Sequence, residues 1–138
     1  MNANCAQVAG YFPAAEQATA YGVCVCESNG VTTAHCLDCA GVAEDSRGPM
    51  QINVDANTEF AGWNLYDVAT NAQAALQVWK SQGWNAWSTY ANGCAQQHIA
   101  EFTGAPPGQL GAYPRIGSVS PRGLIFIGLA AAFVAVAL

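Results

Sequence analysis

The strongest constraint on this chain's fold lies at its C-terminal end. Residues 123–138 form a run of sixteen side chains with no charge and no hydrogen-bonding group. Residues 104–122, just before it, hold Pro106, Pro107, Pro114 and Pro121 among Gly104, Gly108, Gly111 and Gly117. That density of proline and glycine suits neither helix nor strand, so it reads as a linker. As a helix the terminal run would be about 24 Å long, against a hydrocarbon core of about 30 Å. Arg122, at its start, can snorkel to the headgroups and lengthen its reach. A buried core helix is the competing reading, but core helices usually carry a polar stripe and this run has none. The pattern predicts a folded domain at 1–103, a Pro/Gly-rich linker at 104–122 and a C-terminal transmembrane helix at 123–138. Met1–Cys5 has no basic segment leading into an apolar one, so no secretory leader is expected there and insertion should depend on the C-terminal segment. Arg115 and Arg122 are too few flanking charges to fix an orientation.

About 100 residues can bury one core. Hydrophobic residues make up 52% of the chain and charged residues 9%. A disordered chain needs the opposite balance. Four basic residues against nine acidic ones also exclude a nucleic-acid partner, which requires a Lys/Arg surface to displace counterions. The net charge of −5 reads as a solubility feature.

The body reads as mainly α. Pro13 suits a first helical turn. Ala14, Ala18, Tyr21 and Val25 follow at helical spacing, and Asn29-Gly30 supplies a stop. A second helix starts at Asp67 as cap. It places Val68, Ala72, Ala75, Leu76 and Trp79 on one face, and Gly83 ends it. A short third helix is expected at Trp87–Tyr90 and a fourth from Cys94 to Phe102. Residues 31–66 read as largely irregular, with Gln51–Val54 as a possible strand. A long irregular stretch in a small domain usually serves function.

Glu27 is the first candidate for chemistry. It follows the apolar run Tyr21–Cys26 at a helix C-terminus, where the macrodipole disfavours a negative charge by about 0.3–1 kcal/mol. That alone cannot keep a carboxyl protonated near neutrality, but burial against apolar walls can add the rest. A neutral Glu in such a wall is what proton donation to a glycosidic oxygen requires. On position alone, a solvent-facing Glu near a helix end is the plainer reading.

The wider context favours the chemical one. Phe12–Ala18 followed by Cys26-Glu27-Ser28-Asn29-Gly30 resembles the opening of the lytic transglycosylase and goose-type lysozyme superfamily, where a helix ends in Glu-Ser. Ser46-Arg47-Gly48-Pro49-Met50-Gln51-Ile52-Asn53 resembles its second motif, with Pro49 in place of the usual Leu or Tyr. Asn64–Asp67 and Asn71–Leu76 resemble its next helix, and Gln82–Tyr90 its closing segment. The four fall in order across residues 12–93. The resemblance implies an α+β lysozyme-like fold that cleaves peptidoglycan, with no cofactor and no metal. Glu27 would be the catalytic acid at the β-1,4 bond between N-acetylmuramic acid and N-acetylglucosamine. Ser28 would steady the carboxyl or touch substrate. Met50, Gln51 and Ile52 would face the sugar, and Tyr90 would hydrogen-bond near Glu27. Asn92 is a looser match, because the chain reads Tyr-Ala-Asn-Gly where the family reads Tyr-Asn-Ala-Gly.

The nucleophile is left open between two choices. Asp38, Glu44, Asp45 and Asp55 lie in the loops around the motifs, and none matches a family catalytic position. In the family a single Glu suffices, because muramic acid supplies its own hydroxyl and leaves as a 1,6-anhydro sugar. Hydrolysis by water is the alternative. Trp63, Trp84 and Trp87 are read as sugar-stacking or core residues, Trp79 as core, and His35 and His98 as non-catalytic.

The six cysteines allow fifteen pairings. Cys24, Cys26, His35, Cys36 and Cys39 could suggest zinc, but Cys24-x-Cys26 is tighter than structural zinc spacing. A wall-facing enzyme works in an oxidising compartment, which favours disulfides over the alternative of buried free thiols, and Cys26 with Cys94 is one candidate pair. The expected setting is the virion membrane of a phage, alongside other virion proteins, with a bacterial cell envelope as the alternative. A non-catalytic virion structural or wall-binding domain is the competing class.

Overall fold

Six successive residues of one helix, Thr19 through Cys24, are buried. A helix buried on every side must be wrapped by others, and this one, α2 (Gln17–Ser28), forms the axis of the domain. The computed structural model describes residues 1–39 and 41–103. Within them, α1 (Ala3–Ala9) and α5 (Cys94–Thr103) pack on α2, and α1 also meets α3 (Val68–Gln82). Gly22 lets α2 and α5 approach closely. A Cβ there would lie 2.2 Å from the Ala95 carbonyl oxygen of α5. Tyr21, Phe60, Met50, Ile52, Leu65 and Ile99 are the largest fully enclosed side chains.

The helix ends follow local chemistry. Asn2 caps α1 by accepting from the Cys5 N–H at 3.1 Å. Asp67 caps α3 by accepting from the Thr70 N–H at 2.8 Å, and Gly83, at φ 68°, closes it. Asn29 adopts φ 51° directly after α2, and the left-handed region suits Asn and Gly at a helix end. A single 3-10 turn, Ala14–Glu16, precedes α2, so the helix expected from Pro13 begins in earnest at Gln17. The short α4 (Ser88–Ala91) follows another such turn at Trp84–Ala86.

Two regions differ from the sequence-based expectation. α1 was not foreseen, because seven residues are too few to display a helical period. Residues 31–66 are irregular over more than half their length, as expected, and the strand expected at Gln51–Val54 forms at Ile52–Asn53, but two further strands accompany it. The stretch thus contains β1 (His35–Cys39), β2 (Val42–Arg47) and β3 (Ile52–Asn53), an antiparallel sheet in that order. Cys36 pairs with Ser46, and Ser46 with Asn53. The carboxylates Asp38, Glu44 and Asp45 therefore sit on strands rather than loops. β1 and β2 lack the apolar alternation that announces a sheet, and β3 has only two residues. The result is a small α-rich, α+β domain. Among the described residues no helix is long and apolar enough to cross a membrane, and the linker and anchor assigned to 104–122 and 123–138 lie outside them.

Disulfides join Cys5 to Cys24, Cys26 to Cys94, and Cys36 to Cys39. The first fastens α1 to α2, and the second fastens the end of α2 to the start of α5. All six sulfurs are thus committed, including those considered for zinc.

Candidate active site

Glu27 is the next-to-last residue of α2. Two ties fix the helix end that carries it: the Cys26–Cys94 disulfide, and the Ser28 hydroxyl, which donates to the Pro49 carbonyl at 2.8 Å. The second tie joins the helix to the segment bearing Met50, Gln51 and Ile52. That segment is built around Gly48 and Asn71. Gly48 has φ 73°, and a Cβ there would fall 1.9 Å from the Leu65 carbonyl oxygen, so no other residue fits. Asn71 is wholly buried. Its amide nitrogen donates to the carbonyls of Arg47 and Leu65 at 2.9 and 3.0 Å, and its oxygen accepts from the Met50 N–H at 2.8 Å. Gln51 then takes φ 46°, a left-handed conformation that costs a non-glycine residue about 1–2 kcal/mol. Its side chain is held by donation to the Gly48 carbonyl at 2.8 Å.

The result is a cleft of about 170 Å³. Glu27 enters from the end of α2. Glu44, Ser46, Ile52 and Asn53 form the sheet wall. Asn57, Val78, Gln82, Trp87 and Ser88 supply much of the remainder. The amides are linked to one another: Gln82 donates to Asn57 at 3.0 Å, and Asn57 donates to the Asn53 carbonyl at 2.9 Å. Planar amides beside a buried indole suit a ligand with many hydroxyls and an apolar ring face.

The Glu27 carboxyl is half-buried, and its pKa is raised above the ordinary Glu value. Desolvation is the main cause and the charge of Glu44 adds to it, while the hydrogen bond from Thr89 opposes both. The Thr89 hydroxyl lies 2.5 Å from Glu27 Oε1. A carboxyl whose pKa is raised keeps its proton to higher pH and can pass it to a bound acceptor.

The residues singled out in the sequence separate into two groups. Glu27, Gln51 and Ile52 all line the cleft. Ser28 instead braces the backbone at Pro49. The Met50 side chain is fully enclosed, and its carbonyl accepts from the Trp87 indole at 2.8 Å. Tyr90 stacks near Trp84, with ring centroids 6.1 Å apart, and is not among the cleft residues. The bond to Glu27 comes from its neighbour Thr89. Asn92 is exposed and accepts from the Cys94 N–H at 3.0 Å, which orders the start of α5. Trp87 lines the cleft, whereas Trp84 is a core residue lying 5.2 Å from Phe12 between ring centroids. Trp63 packs edge-on against Phe60. Sequence reasoning missed Thr89, Asn57 and Gln82. It also left Glu44 without a role, although Glu44 and Ser46, two residues apart on β2, share the cleft-facing side.

The site thus sets an acid at the end of a central buried helix beside a small sheet and a polar cleft. In the comparison with protein families, the lysozyme-like domain family matches residues 3–89, and the chain belongs to that family. No curated protein and no solved structure matches it.

Proposed function

We propose that the protein is a lytic transglycosylase that cleaves the β-1,4 bond between N-acetylmuramic acid and N-acetylglucosamine. Membership of the lysozyme-like family gives peptidoglycan as the substrate class. The observation that carries the reaction is the half-buried Glu27 carboxyl, held by Thr89 in the cleft and favouring its neutral form. Glu27 protonates the leaving oxygen. The muramic acid 6-hydroxyl then closes on C1, and a 1,6-anhydro sugar leaves. The enzyme's setting in this reading is a phage virion membrane, reached through residues 123–138, where it opens the wall during penetration; a bacterial envelope is the other setting. The uninterrupted apolar run and the Pro/Gly stretch before it support a membrane location.

Clearing of murein by the wild type and by Glu27→Gln tests the assignment. A general acid contributes about 10²–10⁴-fold, so the variant is expected to lose at least about 100-fold in rate. Equal clearing by the two would remove Glu27 from the mechanism. Hydrolysis is a second reading, favoured by the presence of another carboxylate, Glu44, in the same cleft. Product mass separates the two, since hydrolysis adds one water and transglycosylation adds none.

A further inference from the structure

Glu44 is the cleft carboxylate to which transglycosylation by Glu27 alone assigns no step. Three features distinguish it from an ordinary surface glutamate. It lines the same cleft as Glu27, from β2. Its Oε2 accepts from the Asn53 amide nitrogen at 3.0 Å. The orientation of that amide is set from its other end, where Asn53 Oδ1 accepts from the Asp55 and Ala56 N–H groups at 2.9 and 3.1 Å. An oxygen that accepts two backbone donors cannot exchange places with its NH₂, so the donor facing Glu44 is built in. The Cys36 and Cys39 sulfurs also lie within 4.8 Å of the Glu44 carboxylate, so the disulfide borders it on one flank.

We propose that Glu44 is a second catalytic residue, whose carboxylate faces the anomeric carbon from the sheet wall and stabilises the positive charge that develops there. This rests on the glycosidase reading of Glu27 and holds for either nucleophile. The proton on Glu27 moves to the glycosidic oxygen. The C1–O bond breaks, with its electron pair going to that oxygen. The cationic charge shared by C1 and the ring oxygen is then opposed by the fixed charge of Glu44. The 6-hydroxyl oxygen bonds to C1, its proton returns to Glu27, and the acid is regenerated. A preplaced charge aimed where charge develops acts in the transition state more than in the ground state. The loss should therefore fall on kcat and leave KM nearly unchanged.

The pH profile provides a second readout. Two groups act on the Glu27 carboxyl from elements packed against it: Glu44 from β2 and Thr89 from α4. Removing the charge of Glu44 makes Glu27 easier to ionise. The acid is then lost at lower pH, so the alkaline limb of the rate profile moves down.

The experiment compares wild type, Glu27→Gln, Glu44→Gln and Glu44→Asp on purified murein, each with its thermal melt. Losing one such electrostatic stabiliser costs about 10²–10³-fold in kcat. Glu44→Gln is expected to fall by about 100-fold with KM little changed and its alkaline limb displaced downward, and Glu44→Asp to recover part of kcat. Wild-type kcat and pH profile in Glu44→Gln would overturn the assignment while leaving Glu27 in place. So would a loss confined to KM, or a loss matched by a collapsed melt in both Glu44 variants. A wild type that cleaves no better than Glu27→Gln would instead remove the glycosidase reading, and this assignment with it.

Discussion

The Glu27 carboxyl is held between opposing influences, and each can be varied separately. Burial and the Glu44 charge push its pKa up, and the Thr89 hydroxyl pulls it down. Thr89→Val removes the downward pull, so the alkaline limb of the rate profile should move to higher pH, opposite to the shift expected for Glu44→Gln. The same change frees the carboxyl to wander, and the loss of one orienting hydrogen bond should lower kcat by roughly 10-fold. A profile that stays put or moves down would show that the Thr89 bond does not act on the ionised form. Stability gives an independent check. Because the folded pKa of Glu27 lies above its unfolded value, its contribution to stability is fully present below the unfolded pKa and is lost as pH rises through the folded one. Glu27→Gln is uncharged at every pH and can still accept from Thr89. Its Tm should exceed that of the wild type in alkaline solution and match it in acid, in a series of melts across pH. A variant less stable than wild type at all pH values would contradict the burial account. Of these groups, only Glu27 was singled out in the sequence, and that through the resemblance of its Glu-Ser motif, since its position alone favoured a solvent-facing side chain. Thr89 was hidden beside a more conspicuous tyrosine. Glu44 was hidden because its role depends on a strand pairing that its own neighbours do not announce.

Among the elements, the contacts that position the site are made by residues of little apparent chemistry. Gly22 lets α2 and α5 touch. Alanine at this position would gain up to about 1 kcal/mol of helix propensity, but its Cβ would meet the backbone of Ala95 at 2.2 Å. A backbone carbonyl cannot swing aside as a flexible side chain can. Overpacking of this kind costs about 1–3 kcal/mol or more, so Gly22→Ala should be destabilising by on the order of 2 kcal/mol in urea denaturation. A stabilised variant would mean that the helices separate freely. Asn71 performs the equivalent task between α3 and the loop at 47–51. Asn71→Ala would strip partners from the Met50 N–H and from the Arg47 and Leu65 carbonyls. At about 1–3 kcal/mol per unsatisfied buried group, the loss should reach on the order of 3 kcal/mol, and activity should fall with it as Gln51 and Ile52 lose their seat. α3 itself was readable from its cap, its apolar face and its terminal glycine. Of the sheet only β3 was, because β1 and β2 are short and carry no apolar alternation.

For the whole molecule, a domain of about 100 residues has a net stability of only about 5–15 kcal/mol, so covalent ties weigh heavily, and in unequal measure. Cross-linking restricts the unfolded chain more as the closed loop lengthens. The separations are 68 residues for Cys26–Cys94, 19 for Cys5–Cys24 and 3 for Cys36–Cys39. On loop entropy alone these correspond to about 4, 3 and 2 kcal/mol. Of the fifteen possible pairings the sequence suggested only Cys26 with Cys94, which the structure contains, and left the other four cysteines open, since helix packing decides which sulfurs meet and that packing depends on unremarkable positions such as Gly22. The longest loop also ends one residue before Glu27, so stability and catalysis should be coupled through that bond and through no other to the same degree. Replacing Cys26 and Cys94 together by serine should remove about 4 kcal/mol in denaturant titrations and most of the murein-cleaving rate, because the end of α2 loses its tie to α5. Replacing Cys36 and Cys39 together should remove only about 2 kcal/mol, leave α2 in register, and alter the rate only as far as Glu44 loses its disulfide flank. Equal stability losses in the two double variants would show that the loop argument does not govern this domain. A Cys26/Cys94 variant with an undiminished rate would show that Glu27 is held by the Ser28–Pro49 contact and the surrounding packing alone.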